Sequence, residues 1–207
     1  MAYRTEPVPY DKPNEDMTPS ALKKAFASAM VSLPQRVDRI SHYLHESAGA
    51  MITAQSSDDE IDQLPKFIAQ LGGLWNPRKL LIGNGESGAS EKLAREILGH
   101  EPGLTLNPET VEMVFDASLL WGEAFRHRYP EARWAVGSPP KSSVDYGDPV
   151  LIGPYKYLSE FGVRRELFGF VEGPLNGEPS QWTLTEIMKL RAFSLGLAPD
   201  PRRRVMP

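Results

Sequence analysis

The chain has no cysteine, no long apolar run and little excess charge of either sign. Without cysteine, disulfides, zinc–thiolate sites, iron–sulfur clusters and cysteine nucleophiles are excluded. No segment approaches the roughly 18 to 20 consecutive apolar residues that a membrane-spanning helix needs. The first residues also lack the basic and then apolar run of a secretory signal. Together these absences predict a cytoplasmic protein without a membrane partner.

The number and distribution of charges indicate whether nucleic acid is a partner. A formal net charge of -4 is mild for 207 residues, and the basic residues are scattered among acids. Nucleic-acid-binding proteins usually concentrate their basic residues on one face. The exception is Arg202-Arg203-Arg204 within the proline-containing stretch 199–207, which we expect to be a solvated tail. Nucleic acid is therefore disfavoured.

Length and local composition predict the domain organisation. A chain of 207 residues corresponds to one domain by default. Residues 1–17 hold three prolines among charges and no apolar period, which predicts an extended or disordered arm. We expect a single domain over 18–198, in which 18–73 could form a helical subdomain. Residues 199–207 form the basic, proline-rich tail.

Apolar residues recur at helical spacing through the first half of the chain. Thr18 followed by Pro19 is a preferred helix start, and Pro34 separates two apolar stripes, which predicts two helices that meet there. The S-x-x-E sequence over 57–60 is a capping box that predicts another helix start. The longest predicted helix spans 107–129.

The second half of the chain has strand-like segments. We predict strands at 133–136, 149–152 and 168–171, then a last helix that opens at the capping box 183–186 and ends near Leu195. Helices that precede strands indicate an α+β fold. In this fold, the helical N-terminal half packs on a small, mainly antiparallel sheet from the C-terminal half.

Residues 83–90, Gly-Asn-Gly-Glu-Ser-Gly-Ala-Ser, almost match a phosphate-binding loop. Ala89 stands where that loop requires the Lys that reaches the β- and γ-phosphates. The glycines also fit G-x-G-x-x-G, but no second strand that ends in an acid follows at the required distance. A structural loop explains the segment, and a nucleotide or phosphate site is the alternative. The ligand-binding residues would then be Gly83, Gly85, Gly88 and Ser90.

Four acids share one face of the longest predicted helix, because Glu109, Glu112, Asp116 and Glu123 follow one another at intervals of 3, 4 and 7 residues. Acids early and bases late in a helix suit its dipole, which is the structural interpretation. The functional interpretation is an acidic stripe for a basic protein partner, with Glu112, Asp116 and Glu123 as the partner-binding residues. No nucleophile or base stands beside them at a recognisable spacing, so we assign no catalytic residue.

Metal and cofactor signals are weak. His42 and His45 lie about one helical turn apart, but helical zinc motifs use other spacings of two histidines and a glutamate. We therefore expect no metal and no cofactor. Asp145 and Asp148 precede a predicted strand and suit a turn better than acid–base chemistry.

One region carries a family resemblance. A helix that ends in Leu-Leu-Trp-Gly-Glu over 119–123 is followed by Trp134, eleven residues after Glu123, and by Asp-Pro-Val-Leu over 148–151. This pattern over roughly 107–160 resembles small uncharacterised bacterial proteins, similar to the accessory and immunity proteins encoded beside bacterial toxins. The resemblance implies protein binding and brings no catalytic residues. Packing also explains the residues, because Gly122 would let a strand or an aromatic ring approach the helix closely.

The sequence thus predicts a non-catalytic, cytoplasmic bacterial domain that binds another protein, of the immunity or accessory type. The alternative is a nucleotide- or phosphate-binding protein, or an enzyme, built on 83–90. A second alternative is a self-assembling structural protein that uses the arm and the tail as reaching segments. The sequence does not decide whether the protein forms a homo-oligomer.

Overall fold

The fold is α+β, as predicted. A computed structural model describes residues 3, 16–72, 74–75, 105–106, 108–138, 145–154, 160–175 and 180–200. The helices are α1 (Pro19–Val31), α2 (Leu33–Ala48), α3 (Asp58–Asp62), α4 (Leu64–Leu71), α5 (Pro108–Arg128), α6 (Val163–Leu175) and α7 (Leu184–Ser194). Strands β1 (Leu74–Trp75) and β2 (Thr105–Leu106) form one antiparallel pair, and β3 (Arg133–Val136) and β4 (Pro149–Ile152) form another.

The helix ends follow the capping signals of the sequence. The Thr18 side chain accepts a hydrogen bond from the Ala21 amide at 3.2 Å, and Pro19 opens α1. Both predicted capping boxes are present, at Ser57–Glu60 and at Thr183–Glu186. These local predictions are confirmed because a cap depends only on residues within one helical turn.

Helix α5 lies at the centre of the fold. Every side chain from Met113 to Trp121 is buried, as are Ala124 and Phe125, and α2, α4 and α6 all pack against this helix. The Trp121 and Phe161 rings meet edge to face with their centroids 5.1 Å apart. A helix that is buried all round is a core element and not an amphipathic surface helix.

The predicted third strand over 168–171 is wrong, because these residues lie within α6. The helix period was present in the sequence: Val163, Leu167 and Val171 recur every four residues, and all three are fully buried. The run Phe-Gly-Phe-Val suggested a strand, but burial of this stripe against α5 decides for the helix.

The close approach expected at Gly122 is confirmed. A Cβ atom at this position would lie only 2.3 Å from the Trp134 ring, so any side chain would displace the indole. The Trp134 Nε1–H group donates to the Glu123 carboxylate at 2.7 Å, which fixes the ring on β3 over α5. These three residues attach the β3–β4 pair to the central helix.

The arm and the tail are described in part. Tyr3 lies within the predicted arm, is only 5 % exposed and belongs to the main core. The prediction of an extended or disordered arm over 1–17 otherwise falls mostly outside the described residues. At the other end, Leu195 is buried, and residues 201–207 lie outside the described residues. Within the described part of the chain, no helix is long and apolar enough to cross a membrane.

Ser41 on α2 offers a test of the core. Its hydroxyl is buried without a hydrogen-bond partner in the described structure. We expect Ser41→Ala to raise the free energy of unfolding by about 1 kcal/mol more than Ser47→Ala, because a buried hydroxyl without a partner is destabilising. Ser47 is exposed on the same helix, so it controls for helix propensity. If urea denaturation gave the same change in the free energy of unfolding for both variants, this expectation would be contradicted.

Candidate functional site

The predicted acidic stripe on α5 is wrong at Asp116. This carboxylate is completely buried, and its Oδ1 atom accepts a hydrogen bond from Arg36 Nη1 at 2.7 Å. Its Oδ2 atom accepts a second hydrogen bond, from the Tyr3 hydroxyl, also at 2.7 Å. Asp116 therefore joins the N-terminal residues, α2 and α5, and it is not available to a partner.

Electrostatics supports this structural role. Burial raises the pKa of Asp116, while the hydrogen bonds from Arg36 and Tyr3 act in the opposite direction. Burial, and then the nearby Asp116 charge, raises the pKa of the Tyr3 hydroxyl, so it stays protonated and donates. The arrangement is a buried ion pair completed by a phenol, and it contains no free nucleophile or base.

The other two acids of the predicted stripe are also not free surface charges. Glu123 accepts hydrogen bonds from Trp134 at 2.7 Å and from Arg126 at 2.8 Å, and its side chain is 22 % exposed. Glu112 is half-buried, and burial followed by the charge of Asp116 raises its pKa. Glu112, Asp116 and Glu123 therefore do not form a continuous exposed face. The sequence signal failed because the middle of α5, from Met113 to Trp121, is buried on every side.

Two further sequence candidates are the glycine loop and the histidines of α2. Gly83, Gly85, Gly88 and Ser90 lie outside the described residues, so the phosphate-site alternative stays a prediction. His42 is exposed and lies 3.3 Å from Glu46. Within the described residues, no group of three or more His, Cys, Asp or Glu side chains is arranged to hold a metal ion.

Asp145 and Asp148 lie in a turn, as predicted, but both are also buried and paired with α6. Asp145 contacts Arg165 at 2.8 Å, and Asp148 contacts Arg164 at 3.1 Å. Burial raises the pKa of Asp145, and the charge of Arg165 opposes this shift. These pairs attach the β3–β4 connection to α6, which is a structural task.

A different surface, missed at the level of sequence, has the properties of a binding site. A cleft of about 470 Å³ lies between α4, α6 and the start of α7. Its lining is largely apolar and includes Pro65, Ala69, Phe170, Pro174 and Trp182. Trp182 is 52 % exposed, the largest apolar side chain so exposed among the described residues. We name this surface the Trp182 cleft.

The backbone around Trp182 is firmly held. The Ser180 hydroxyl accepts from the Trp182 amide and donates to the Trp182 carbonyl, each at 3.1 Å. Immediately after Trp182, the capping box of α7 begins at Thr183. In the first turn of this helix, both the amide and the hydroxyl of Thr185 donate to the Asp62 carboxylate at 2.8 Å. Trp182 is thus presented on a rigid support, which lowers the entropy lost on binding.

Charged groups flank the apolar lining. A second depression, of about 530 Å³, shares Phe170 and Ser180 with the Trp182 cleft, so the two form one continuous surface. Lys66 on α4 lines the cleft, and Glu172 on α6 lines the second depression. Within the described residues, neither makes an ion pair, whereas Arg165 and Glu166 beside them are paired.

Sequence patterns gave no reason to single out Trp182. It precedes the N-cap Thr183, a position where an apolar residue often packs back onto its own helix. Its exposure depends on how α4, which ends at Leu71, is placed against α6, which begins at Val163, and against the start of α7. Local sequence patterns do not predict how these elements are placed relative to one another.

Comparison with known proteins adds no evidence about function, so the function has to be argued from the contacts described above. No protein-family model matches the chain, and no curated protein or solved structure is significantly similar to it. The resemblance of residues 107–160 to accessory and immunity proteins therefore stays a prediction, together with the role it implies.

Proposed function

We propose that this protein is a non-catalytic domain that binds another protein, and that the Trp182 cleft is its binding surface. The observation that carries the proposal is the half-exposed Trp182 on a rigid support beside an apolar cleft. Tryptophan is enriched among the residues that dominate binding energy at protein interfaces. A role as an accessory or immunity-type protein, as the resemblance implies, is the most concrete form of the proposal.

The lining of the cleft defines the chemistry of the partner. Phe170, Trp182 and two prolines form an aromatic and apolar surface of the kind that accepts extended, proline-containing segments. Lys66 in the cleft and Glu172 in the adjoining depression add one charge of each sign. The fitting segment carries a proline or aliphatic anchor for Phe170 and Trp182, a carboxylate for Lys66 and a cation for Glu172.

The role of the internal ion pairs supports binding over catalysis. Each of three buried carboxylates forms an ion pair with an arginine: Asp116, Asp145 and Asp148. A catalytic acid or base has to reach a substrate proton within hydrogen-bond distance. Within the described residues, the buried carboxylates hold elements of the fold together, and the exposed cleft is apolar at its centre.

The test compares the protein captured from a source lysate by the wild-type chain and by cleft variants. We expect Trp182→Ala to weaken binding of a stoichiometric partner by about 30-fold, which corresponds to the roughly 2 kcal/mol of an interface hot spot. Lys66→Glu should weaken binding by about fivefold, and more at low salt than at high salt, because a rim charge acts through long-range attraction.

The matched control is Val31→Ala, since Val31 is 79 % exposed and does not line the cleft. This variant should retain the partner at the wild-type level. Capture alone would not support the proposal, because any exposed surface can retain a protein. Equal retention by the wild type, Trp182→Ala and Lys66→Glu, all shown to be folded by circular dichroism, would refute it.

A further inference from the structure

Two walls of the Trp182 cleft come from distant parts of the chain. Pro65 and Lys66 on α4 belong to one wall, which we name the α4 wall. Trp182, Thr183 and Leu184, at the start of α7, belong to the other, which we name the α7 wall. The backbone of α7 comes close to α3 at more points than to α4 or α6. The position of the α7 wall therefore depends on how α7 is attached to α3.

Asp62 makes this attachment. It is the last residue of α3, and only Gln63 separates it from the first residue of α4, so Asp62 and the α4 wall belong to one continuous piece of backbone. Its Oδ1 atom accepts from the Thr185 amide and its Oδ2 atom accepts from the Thr185 hydroxyl, both at 2.8 Å. Two parallel hydrogen bonds fix direction as well as distance. Asp62 thus ties the α7 wall to the α4 wall.

The Thr185 amide depends on an acceptor from outside α7. The first amides of a helix have no partner within that helix. In the capping box of α7, the Thr183 hydroxyl accepts from the Glu186 amide, which leaves the Thr185 amide to another group. Thr185 is buried, and a buried amide without an acceptor is unfavourable. Asp62 therefore completes the start of α7 from another helix.

A short series of contacts connects Asp62 with Trp182. The Thr185 and Thr183 hydroxyls lie 3.2 Å apart, and Thr183 directly follows Trp182 as the N-cap residue of α7. On the other side of Trp182, the Ser180 hydroxyl bonds to its amide and its carbonyl. If Thr185 moved away from Asp62, Trp182 would therefore move relative to the α4 wall.

We infer that Asp62 is the positioning residue of the Trp182 cleft, and that it sets the separation of the two walls before a partner binds. The inference rests on the proposed function, since the width of the cleft matters only where the cleft binds a partner. A preorganised cleft loses less conformational entropy on binding. Asp62 acts through Thr185, which is buried and does not line the cleft.

Fluorine NMR of the free protein, labelled with fluorotryptophan, tests the position of Trp182. The chain has four tryptophans, and Trp182→Phe identifies the Trp182 resonance by its loss. We expect Asp62→Ala to shift this resonance toward its position in the urea-unfolded chain and to leave the others in place. Asp62→Asn should retain the wild-type spectrum, because an amide group accepts from the Thr185 amide and donates to the Thr185 hydroxyl.

Thr185→Val separates positioning from direct contact with a partner, and it is the milder variant if Asp62→Ala does not fold. It removes one of the two hydrogen bonds and should shift the Trp182 resonance by less, in the same direction. Asp59→Ala, which changes an exposed acid of the same helix, should leave the spectrum unchanged. An unmoved Trp182 resonance in folded Thr185→Val would overturn the inference. So would a shift of all resonances together, or an equal shift in Asp59→Ala.

Retention of the partner captured by the wild-type chain distinguishes this inference from the proposed function. We expect Asp62→Ala to weaken binding about fivefold and Thr185→Val about threefold, with wild-type affinity for Asp62→Asn. If Trp182→Ala weakens binding and neither Asp62→Ala nor Thr185→Val does, the positioning role is refuted and the proposed function stands. If none of these variants weakens binding, the cleft is not the binding surface and both proposals fail.

Discussion

Asp116→Ala is expected to lower the free energy of unfolding by about 3 to 5 kcal/mol. The substitution removes the buried carboxylate that accepts a hydrogen bond from the Arg36 guanidinium, which is only 3 % exposed. It also removes the acceptor of the Tyr3 hydroxyl. Removing one member of a buried ion pair is strongly destabilising, so the loss should exceed that of any exposed acid. Chemical denaturation followed by circular dichroism measures this loss.

Two comparisons make the Asp116 result specific. Glu112→Ala, one turn earlier on α5, should change stability by less than about 1 kcal/mol, because within the described residues Glu112 makes no ion pair. The double variant Arg36→Met, Asp116→Leu should recover most of the loss, since apolar side chains of similar volume often replace a buried ion pair without penalty. If Asp116→Ala were as stable as Glu112→Ala, the buried network would have no structural importance.

Gly137→Ala is expected to destabilise the protein by about 3 kcal/mol, at the upper end of the range for overpacking. A Cβ atom at this position would lie 1.7 Å from the backbone carbonyl oxygen of Asp145. Rotation of a side chain cannot relieve this clash, because both atoms belong to or adjoin the backbone. The Gly137 amide donates to the Asp148 carbonyl at 2.8 Å, and the Gly147 amide donates to Gly137 at 3.1 Å. Separation of the two segments would break these hydrogen bonds.

Gly169→Ala is the matched control for this prediction. Gly169 lies within α6, and a Cβ atom there meets nothing within 4 Å. We therefore expect this second substitution to stabilise the protein by up to about 1 kcal/mol through helix propensity. Thermal denaturation should move the two melting temperatures in opposite directions. A Gly137→Ala variant with a wild-type melting temperature would refute the close approach of the turn to β3.

The sequence alone determined those features that depend on neighbours within a few residues. It defined the starts of α1, α3 and α7 through their capping residues, the break at Pro34, and strands β3 and β4. It also indicated the close approach at Gly122, although not that Trp134 is the group that fills it. Capping, turns and strand alternation are local, so a single sequence contains their causes.

Only the tertiary structure decided which polar side chains are accessible to a partner. The spacing of Glu112, Asp116 and Glu123 is that of an exposed helix face. Asp116 is instead buried and paired with Arg36 and Tyr3, and Glu123 accepts from Trp134. The same packing left Trp182 half exposed beside α4 and α6. Whether a side chain is buried, paired or available is set by contacts between distant segments, and local sequence patterns do not contain them.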